Sequence, residues 1–163
     1  MKLLIIGAGG HGHVVKEVAE ATCQYERIEF IDDNSDIAIG KTADLEKLHA
    51  EYDGAFVSIG NNSLREILIQ KLIDIGYNVP ILIHPSAYVS KSARLGHGTI
   101  IEPKAIVNAN VSVGNGCIIS VGTIIDHNVV IEDYCHINSG SIVCNASRVL
   151  KGTKVDAGQV VSK

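Results

Sequence analysis

Residues 99–134 read TIIEPK-AIVNAN-VSVGNG-CIISVG-TIIDHN-VVIEDY, in which each group of six repeats one pattern. The third residue of every group is aliphatic, and the first is small or of modest size. The aliphatic file continues without a slip at every sixth position from Ile83 to Val161. Helices and ordinary strands have periods of about 3.6 and 2 residues, so neither explains this spacing. A hexapeptide period predicts a parallel β-helix, in which each unit forms one face of a coil.

The cysteines fit the same repeat. Cys117 and Cys135 fall in the small-residue file, two positions before an aliphatic residue, and are therefore predicted to be core residues. The chain contains no CxxC pair, which argues against a zinc site. Three faces per coil give about four to five coils, a thin column that we expect to associate side by side into an oligomer.

Residues 1–82 follow a different pattern, in which strand and helix signals alternate. A helix is predicted from Leu64 to Ile75, with Ser63 as its N-cap and Gly76 as its stop. Alternation of this kind predicts a small parallel α/β sheet, which binds ligands beyond the carboxyl ends of its strands. The predicted strands are Lys2–Ile6, Arg27–Ile31, Ala55–Ile59 and Val79–Ile83.

A glycine turn follows the first predicted strand. Gly7, Gly9 and Gly12 satisfy the pattern G-x-G-x-x-G, and Asp32 lies twenty residues beyond Gly12. This spacing is typical of dinucleotide binding, for example of NAD. The pattern also suits any phosphate at a helix N-terminus, and a half-sized domain fits a nucleotide-sugar better than a dinucleotide. A tight turn without a ligand is the third reading.

Composition limits the possible partners. The formal net charge is −4 and the pI is about 5.9, which argues against nucleic acid as a main partner. No apolar stretch is long enough for membrane insertion, and Met1–Ile6 does not resemble a signal peptide. These features predict a cytoplasmic protein with reduced thiols and no metal.

Taken together, the motifs resemble those of bacterial sugar acetyltransferases. The matching segments are Ile6–Gly12, Asp32-Asp33, Ile59–Asn62 with Arg65, Leu82–Ala87, and IDHNVVI at 125–131 followed by His136. The resemblance extends to sialic acid O-acetyltransferases and is closer to enzymes that acetylate UDP-linked 4-amino-sugars in bacillosamine-type glycan pathways. It implies a Rossmann-like domain at 1–82 and a left-handed β-helix at 83–163. It further implies a homotrimer with active sites between subunits.

The resemblance also implies roles for individual residues. His127 matches the catalytic base, with Asn128 beside it, and acetyl-CoA is the expected acyl donor. His136 matches an acetyl-CoA contact, and Ala157 lies near another. The nucleotide-sugar pocket is matched by the following residues: Gly9, Gly10, His11, Asp32, Asp33, Gly60, Asn61, Asn62 and Arg65. An amino-sugar acceptor is favoured over a hydroxyl.

The residue types suit acetyl transfer, although each also has an interpretation that involves no substrate. A neutral imidazole removes a proton from the attacking group near pH 7, which contributes about 10²–10⁴-fold. By position alone, His127 is a solvated corner residue and His136 a surface residue. Asp32 and Asp33 bind a ribose or base, or cap the following segment. Arg65 contacts a phosphate, or is a solvated helix residue.

This chain differs from the related enzymes in two features. Close relatives carry an acidic residue after the catalytic histidine, whereas this chain has Asn128. Asp126 is adjacent, but in an extended chain its side chain should point the other way. We therefore expect His127 to be a weaker base than usual, and Asn128→Asp or Asn128→Glu to raise turnover. In addition, the repeats stop at Val161-Ser162-Lys163, where relatives continue with further coils.

The second departure leaves an alternative function open. A chain short of the last acetyl-CoA contacts is expected to be either an impaired enzyme or a non-catalytic trimeric protein that binds a nucleotide-sugar. Binding of acetyl-CoA separates the two, because only the enzyme requires it.

Overall fold

The computed structural model describes residues 1–162. The chain divides into two compact units, Met1–Pro80 and a second that begins at Ile81. Lys163, the last residue of the predicted second domain, lies outside the described residues.

The first unit is an α/β fold around a parallel sheet of three strands. The order is β2-β1-β3, with β1 at Lys2–Ile6, β2 at Arg27–Ile31 and β3 at Gly54–Val57. The helices are α1 (Gly10–Ala21), α2 (Leu45–Leu48) and α3 (Asn62–Ile75), and 3-10 turns span Thr42–Asp44 and His49–Glu51. The central strand is buried almost completely, which explains why β1 is a continuous apolar run.

Two predictions for this unit are wrong. The expected fourth strand, Val79–Ile83, does not join the sheet. Pro80 cannot donate to a strand ladder, and only Leu82–Ile83 forms a strand, paired with Ile100–Ile101 of the repeats. The N-cap of α3 is Asn61 rather than Ser63, because the Asn61 side chain accepts the amide of Leu64 at 2.9 Å. The predicted stop at Gly76 is confirmed, since Gly76 adopts a left-handed conformation with φ 104°.

The second unit is a left-handed parallel β-helix, which confirms the β-helix predicted from the repeats and the handedness implied by the resemblance. Each residue pairs with the residue 18 positions along the chain, as Ile100 does with Ile118. The two-residue strands form three faces. Face 1 contains β4 Leu82–Ile83, β7 Ile100–Ile101, β10 Ile118–Ile119, β13 His136–Ile137 and β16 Lys154–Val155. Face 2 contains β5 Tyr88–Val89, β8 Ile106–Val107, β11 Ile124–Ile125, β14 Ile142–Val143 and β17 Val160–Val161. Face 3 contains β6 Arg94–Leu95, β9 Ser112–Val113, β12 Val130–Ile131 and β15 Arg148–Val149.

The core of the β-helix consists of the two predicted files. The second residue of each strand points inward, and Ile101, Ile119, Ile125 and Ile137 are completely buried. The small-residue file packs beside them, and its members Cys117 and Cys135 are also fully buried, as predicted. The first residues of the strands on faces 2 and 3 are exposed or half-buried, whereas Leu82, Ile100 and Ile118 on face 1 are buried.

Candidate active site

In the first unit, the glycine turn is held at the carboxyl ends of the strands. The amide of Gly7 donates to the carbonyl of Ile31 at 2.8 Å, and the amide of Ala8 donates to Oδ2 of Asp32, also at 2.8 Å. The Ser58 hydroxyl donates to the carbonyl of Gly7 at 2.7 Å. The turn leads into α1, whose N-cap is Gly9 and whose first residue is Gly10. The free amides of a helix N-terminus therefore lie at the edge of the sheet where such folds bind ligands.

A cavity of about 360 Å³ opens at this edge. Its wall is mostly apolar, with Asp32 and Asp33 on the polar side and Thr42 beside them. Ligand pockets of this kind are commonly apolar with a few polar groups that fix orientation. The lining residues are Ile6, Gly7, Ile31, Asp32, Asp33, Asn34, Thr42, Ile59, Leu64 and Leu68.

Both predicted aspartates already have protein partners in this cavity. Asp32 accepts the amides of Ala8 and Asn34, each at 2.8 Å, so it fixes the glycine turn. Asp33 accepts the amide of Thr42 at 2.9 Å and the Thr42 hydroxyl at 2.9–3.0 Å. The Thr42 amide and hydroxyl lower the pKa of Asp33. Both carboxylates retain lone pairs for a ligand, because an ionised carboxylate accepts about four hydrogen bonds.

Arg65 is buried, and its charge acts on the half-buried His11. Arg65 is 0% exposed and donates to the carbonyl of Ile59 at 2.9 Å and to Oδ1 of Asn62 at 2.8 Å. The prediction of a solvated helix residue is therefore wrong, and in this conformation the guanidinium holds the Ile59–Asn62 loop. Burial, followed by the charge of Arg65, lowers the pKa of His11 to about 4, so this imidazole is neutral at pH 7.

The remaining predicted residues of this unit lie on the loop before α3. Asn61 caps the helix, Asn62 accepts from Arg65, and a methyl group at Gly60 would contact no atom within 4 Å. The sequence reasoning missed Thr42, which holds Asp33. No local pattern indicates it, because the contact spans nine residues through an irregular loop.

Gly12→Ala should destabilise the first unit. A β-carbon at Gly12 would lie 2.2 Å from the carbonyl oxygen of Gly7, which is a backbone atom fixed by the sheet. Overpacking of this kind costs about 1–3 kcal/mol in the free energy of unfolding, which chemical denaturation measures.

Gly9→Ala is the matched control for stability, because its β-carbon would meet nothing within 4 Å. We expect Gly9→Ala to keep the stability of the native protein, because the added methyl group meets no neighbouring atom. Equal stability of the two variants would contradict the packing described for Gly12.

In the β-helix, His127 lies at the corner between faces 2 and 3. The Nδ1 atom of its imidazole is 2.8 Å from Oδ1 of Asp126, and the same oxygen accepts the His127 amide at 2.7 Å. The prediction that Asp126 points away is wrong, because the chain is not extended here. It turns at His127 and Asn128, and the turn brings the Asp126 carboxylate against the ring. These hydrogen bonds, with the one from the imidazole contributing most, lower the pKa of Asp126.

Asn128 has a conformational reason to be asparagine. Its φ is 58°, in the left-handed region that asparagine tolerates better than most residues. Its Oδ1 accepts from Nδ2 of Asn110, the residue stacked on it from the preceding coil, at 3.2 Å. Among the described residues, the imidazole is hydrogen-bonded to the Asp126 carboxylate and not to Asn128. A catalytic role for Asn128 therefore remains a prediction.

His136 lies on face 1, in the outward file between Ile118 and Lys154. Its Nε2 atom is 3.3 Å from the Ser120 hydroxyl, and its side chain is half-buried. Ala157 lies in the exposed corner that follows Val155 on the next coil. The corner between faces 2 and 3 is opposite face 1 in a three-sided coil. The structure therefore brings His127 together with Asp126 but not with His136 of the same chain.

Within residues 1–162, no group of three or more His, Cys, Asp or Glu side chains is arranged to hold a metal ion. None of the helices in this range is both long and apolar enough to cross a membrane.

Comparison with known proteins identifies relatives of both units. The family model for the PglD N-terminal domain matches residues 2–72. UDP-N-acetylbacillosamine N-acetyltransferase from Bacillus subtilis (strain 168) is 37% identical over 109 residues, covering 60% of this chain. The match spans about half of that relative, 49% of its length.

Solved structures match nearly the whole chain. The acetyltransferase domain of PglB from Neisseria gonorrhoeae FA1090 has a TM-score of 0.95 and 34% identity, covering 98% of this chain and 81% of that one. The same domain has been solved in complex with acetyl coenzyme A, with a TM-score of 0.93, 34% identity, and coverage of 98% and 80%. A mutant of perosamine N-acetyltransferase from Caulobacter crescentus, in complex with CoA and GDP-perosamine, has a TM-score of 0.90 and 31% identity, covering 100% and 89%.

Proposed function

This chain belongs to the family of bacterial sugar acetyltransferases that includes the acetyltransferase domain of PglB, and on that premise we propose that it transfers an acetyl group from acetyl-CoA to a nucleotide-linked amino-sugar. The observation that carries the proposal is His127, an imidazole held against a carboxylate at an exposed corner of the β-helix. Solved relatives bind acetyl-CoA, or CoA with GDP-perosamine, which supports the same pair of substrates here.

The proposed reaction needs one base and good positioning. The acceptor nitrogen forms a bond to the acetyl carbon, the carbon–sulfur bond of the thioester breaks, and CoA leaves as a thiolate that regains a proton from the His127 imidazolium. His127 takes the proton that the nitrogen loses, through the ring nitrogen that faces away from Asp126. Holding the two substrates together supplies much of the remaining rate.

Two copies of the chain are needed to complete the site. His127 lies at the corner between faces 2 and 3, whereas His136, the predicted acetyl-CoA contact, lies on face 1. Because these positions are on opposite sides of one coil, His127 of one copy meets the coenzyme bound at His136 of another. Lys154 follows His136 in the outward file and supplies a cation suited to the phosphates of CoA.

Face 2 is the surface through which we propose that the copies associate, as a trimer. The first residues of its strands form one continuous apolar file that is 36–59% exposed. Monomeric proteins rarely expose contiguous apolar files, and such surfaces mark interfaces. The file borders the corner that carries His127. Its members are Tyr88, Ile106, Ile124, Ile142 and Val160.

Ile124→Lys should dissociate the oligomer. Ile124 lies in the middle of the apolar file and is 39% exposed, so a lysine there places a charge in the proposed interface without entering the core. We expect the molecular mass from light scattering to fall from that of a trimer to that of a monomer, with loss of acetyl transfer.

Leu150→Lys is the control, because Leu150 is equally apolar and 63% exposed but lies at a corner outside face 2. It should leave the molecular mass unchanged. A trimer that survives Ile124→Lys would exclude face 2 as the interface.

The cavity of the first unit is the proposed site for the nucleotide. Gly7, Asp32 and Asp33 line it, and the two carboxylates suit hydroxyl or N–H donors of a ribose or base. The helix N-terminus at Gly9 and Gly10, which follows Gly7, suits a diphosphate. We also propose a cytoplasmic location, because no cysteine in the described residues forms a disulfide, as is typical of a reducing compartment. Bacterial glycan biosynthesis is the pathway class that consumes such a product.

A non-catalytic nucleotide-sugar binder is not favoured. Two solved acetyltransferases that match 98% and 100% of this chain are bound to acetyl-CoA and to CoA, respectively. Isothermal titration with acetyl-CoA tests the point directly. The enzyme should bind the coenzyme without a sugar present, and a protein that binds only the nucleotide-sugar would support the alternative.

A thiol-release assay tests the proposed activity. The protein is mixed with acetyl-CoA and one acceptor at a time: a UDP-linked 4-amino-sugar, a GDP-linked 4-amino-sugar, and the corresponding hydroxyl sugars. We expect thiol release that depends on an amino-sugar acceptor. Release only with a hydroxyl sugar would show that the acceptor group is a hydroxyl and not an amine. Release with none of the four sugars would contradict the proposal.

A further inference from the structure

The Asp126 carboxylate contacts His127 through a single oxygen atom. Its Oδ1 lies 2.8 Å from Nδ1 of the imidazole and 2.7 Å from the backbone nitrogen of the same residue. An ionised carboxylate only accepts hydrogen bonds, so the proton between them resides on Nδ1. The opposite ring nitrogen, Nε2, then carries the lone pair that a base requires.

The backbone of this corner is fixed on both sides by neighbouring coils. The amide of Asp126 donates to the carbonyl of Val143 at 3.0 Å, and the amide of Asn128 donates to the carbonyl of Ala109 at 2.9 Å. The carbonyl of His127 accepts the amide of Ala146 at 3.1 Å. Because the ladder continues through the corner, the aspartate and the imidazole belong to one rigid turn.

Among the described residues around His127, Asp126 supplies the charge next to the imidazole. The stacked positions of the preceding coil are Asn108 and Ala109, and those of the next coil are Cys144 and Asn145. Of these, Asn108 approaches the same carboxylate oxygen at 3.5 Å through its Nδ2 atom, and the Cys144 thiol is the titratable group. Among residues 1–162, Lys91, two coils before His127, is the cation of this corner column.

From this geometry we propose that Asp126 is a positioning residue for His127, holding the Nδ1–H tautomer and stabilising the imidazolium that forms as the acceptor loses its proton. The inference rests on the proposed acetyl transfer, which it deepens. It also accounts for the asparagine that follows His127. Here the carboxylate precedes the histidine, and the left-handed turn residue after it is free to be an asparagine.

The test is Asp126→Asn, which keeps an oxygen for the His127 amide and removes the charge. We expect kcat to fall about tenfold or more, while KM for acetyl-CoA stays within about twofold. The fall in kcat follows because the variant loses a hydrogen bond that is strongest when the imidazole is charged. The profile of kcat/KM against pH should also change, which a loss of packing alone would not cause. Asp126→Ala, which also removes the acceptor, should lower kcat further.

Asp133→Asn is the matched control. Asp133 lies on the same coil, and its Oδ1 accepts the amide of Asn115 at 2.7 Å, but the contact involves no histidine. It should keep the kcat and the pH profile of the native protein. An Asp126→Asn variant with the native kcat and pH profile would overturn the inference. So would a result in which Asn128→Asp changes turnover whereas loss of the Asp126 carboxylate does not.

Nuclear magnetic resonance separates this inference from the proposed activity. Long-range ¹⁵N–¹H spectra of the histidine rings should show the Nδ1–H tautomer for His127 in the native protein and its loss in Asp126→Ala. If the native protein transfers no acetyl group but shows this tautomer, the proposed function fails while the pairing stands. If it transfers acetyl but His127 has the Nε2–H tautomer, the pairing fails alone.

Discussion

Replacing His127 with alanine should lower kcat for acetyl transfer by about 10²–10⁴-fold, the usual contribution of a general base. The imidazole is the base proposed for the acceptor, and its side chain is 49% exposed at an outer corner, so its removal leaves the β-helix core intact. We expect KM for acetyl-CoA to change little, because His127 acts on the acceptor. Steady-state thiol release measures both constants.

Asn145→Ala is the control for His127→Ala. Asn145 occupies the same corner position on the next coil and is exposed, so this variant makes a similar truncation one coil away. It should retain at least about half of the native kcat, since no general-base role is lost. Equal turnover by the native protein and His127→Ala would remove this residue from the chemistry.

Ile131→Ala should lower the free energy of unfolding by about 2–5 kcal/mol. Ile131 belongs to the inward file and is 1% exposed, and the coils above and below it contribute Val149 and Val113 to the same file. Stacked coils have no other core, so truncation leaves a cavity that the ladder prevents from collapsing. Denaturant titration with circular dichroism measures the change.

Val130→Ala provides the comparison, because Val130 is the neighbouring residue and points outward on face 3. Its truncation should cost less than about 1 kcal/mol, since surface substitutions seldom change stability by more than about 0.5 kcal/mol and Val130 is partly buried. Similar losses from the two variants would contradict the alternation of inward and outward residues along each strand.

The sequence predicts the β-helix well because its physical cause is periodic. A coil of three short strands must place an aliphatic side chain inside at every sixth residue, so Ile119, Ile125 and Ile131 reveal the fold without any knowledge of tertiary contacts. The same periodicity places Cys117 and Cys135 in the core. The fourth strand of the first unit was predicted wrongly, because an apolar run around Pro80 reads as a strand although its residues serve two different units.

The site was harder to predict, because it depends on turn geometry. In an extended chain, the side chains of Asp126 and His127 would point to opposite sides. The corner at Asn128 instead brings the Asp126 carboxylate against the imidazole ring. Arg65 shows the same limit, since helical position alone suggests a solvated side chain. Its burial depends on the loop from Ile59 to Asn62 folding over the guanidinium.

The most direct test of the proposed function is mass spectrometry of the sugar after incubation of the native protein with acetyl-CoA and a UDP-linked 4-amino-sugar. The function proposed here predicts a nucleotide-sugar that carries one added acetyl group on its amine, formed by the native protein and not by His127→Ala. An unmodified sugar recovered from a protein that binds both substrates would contradict it.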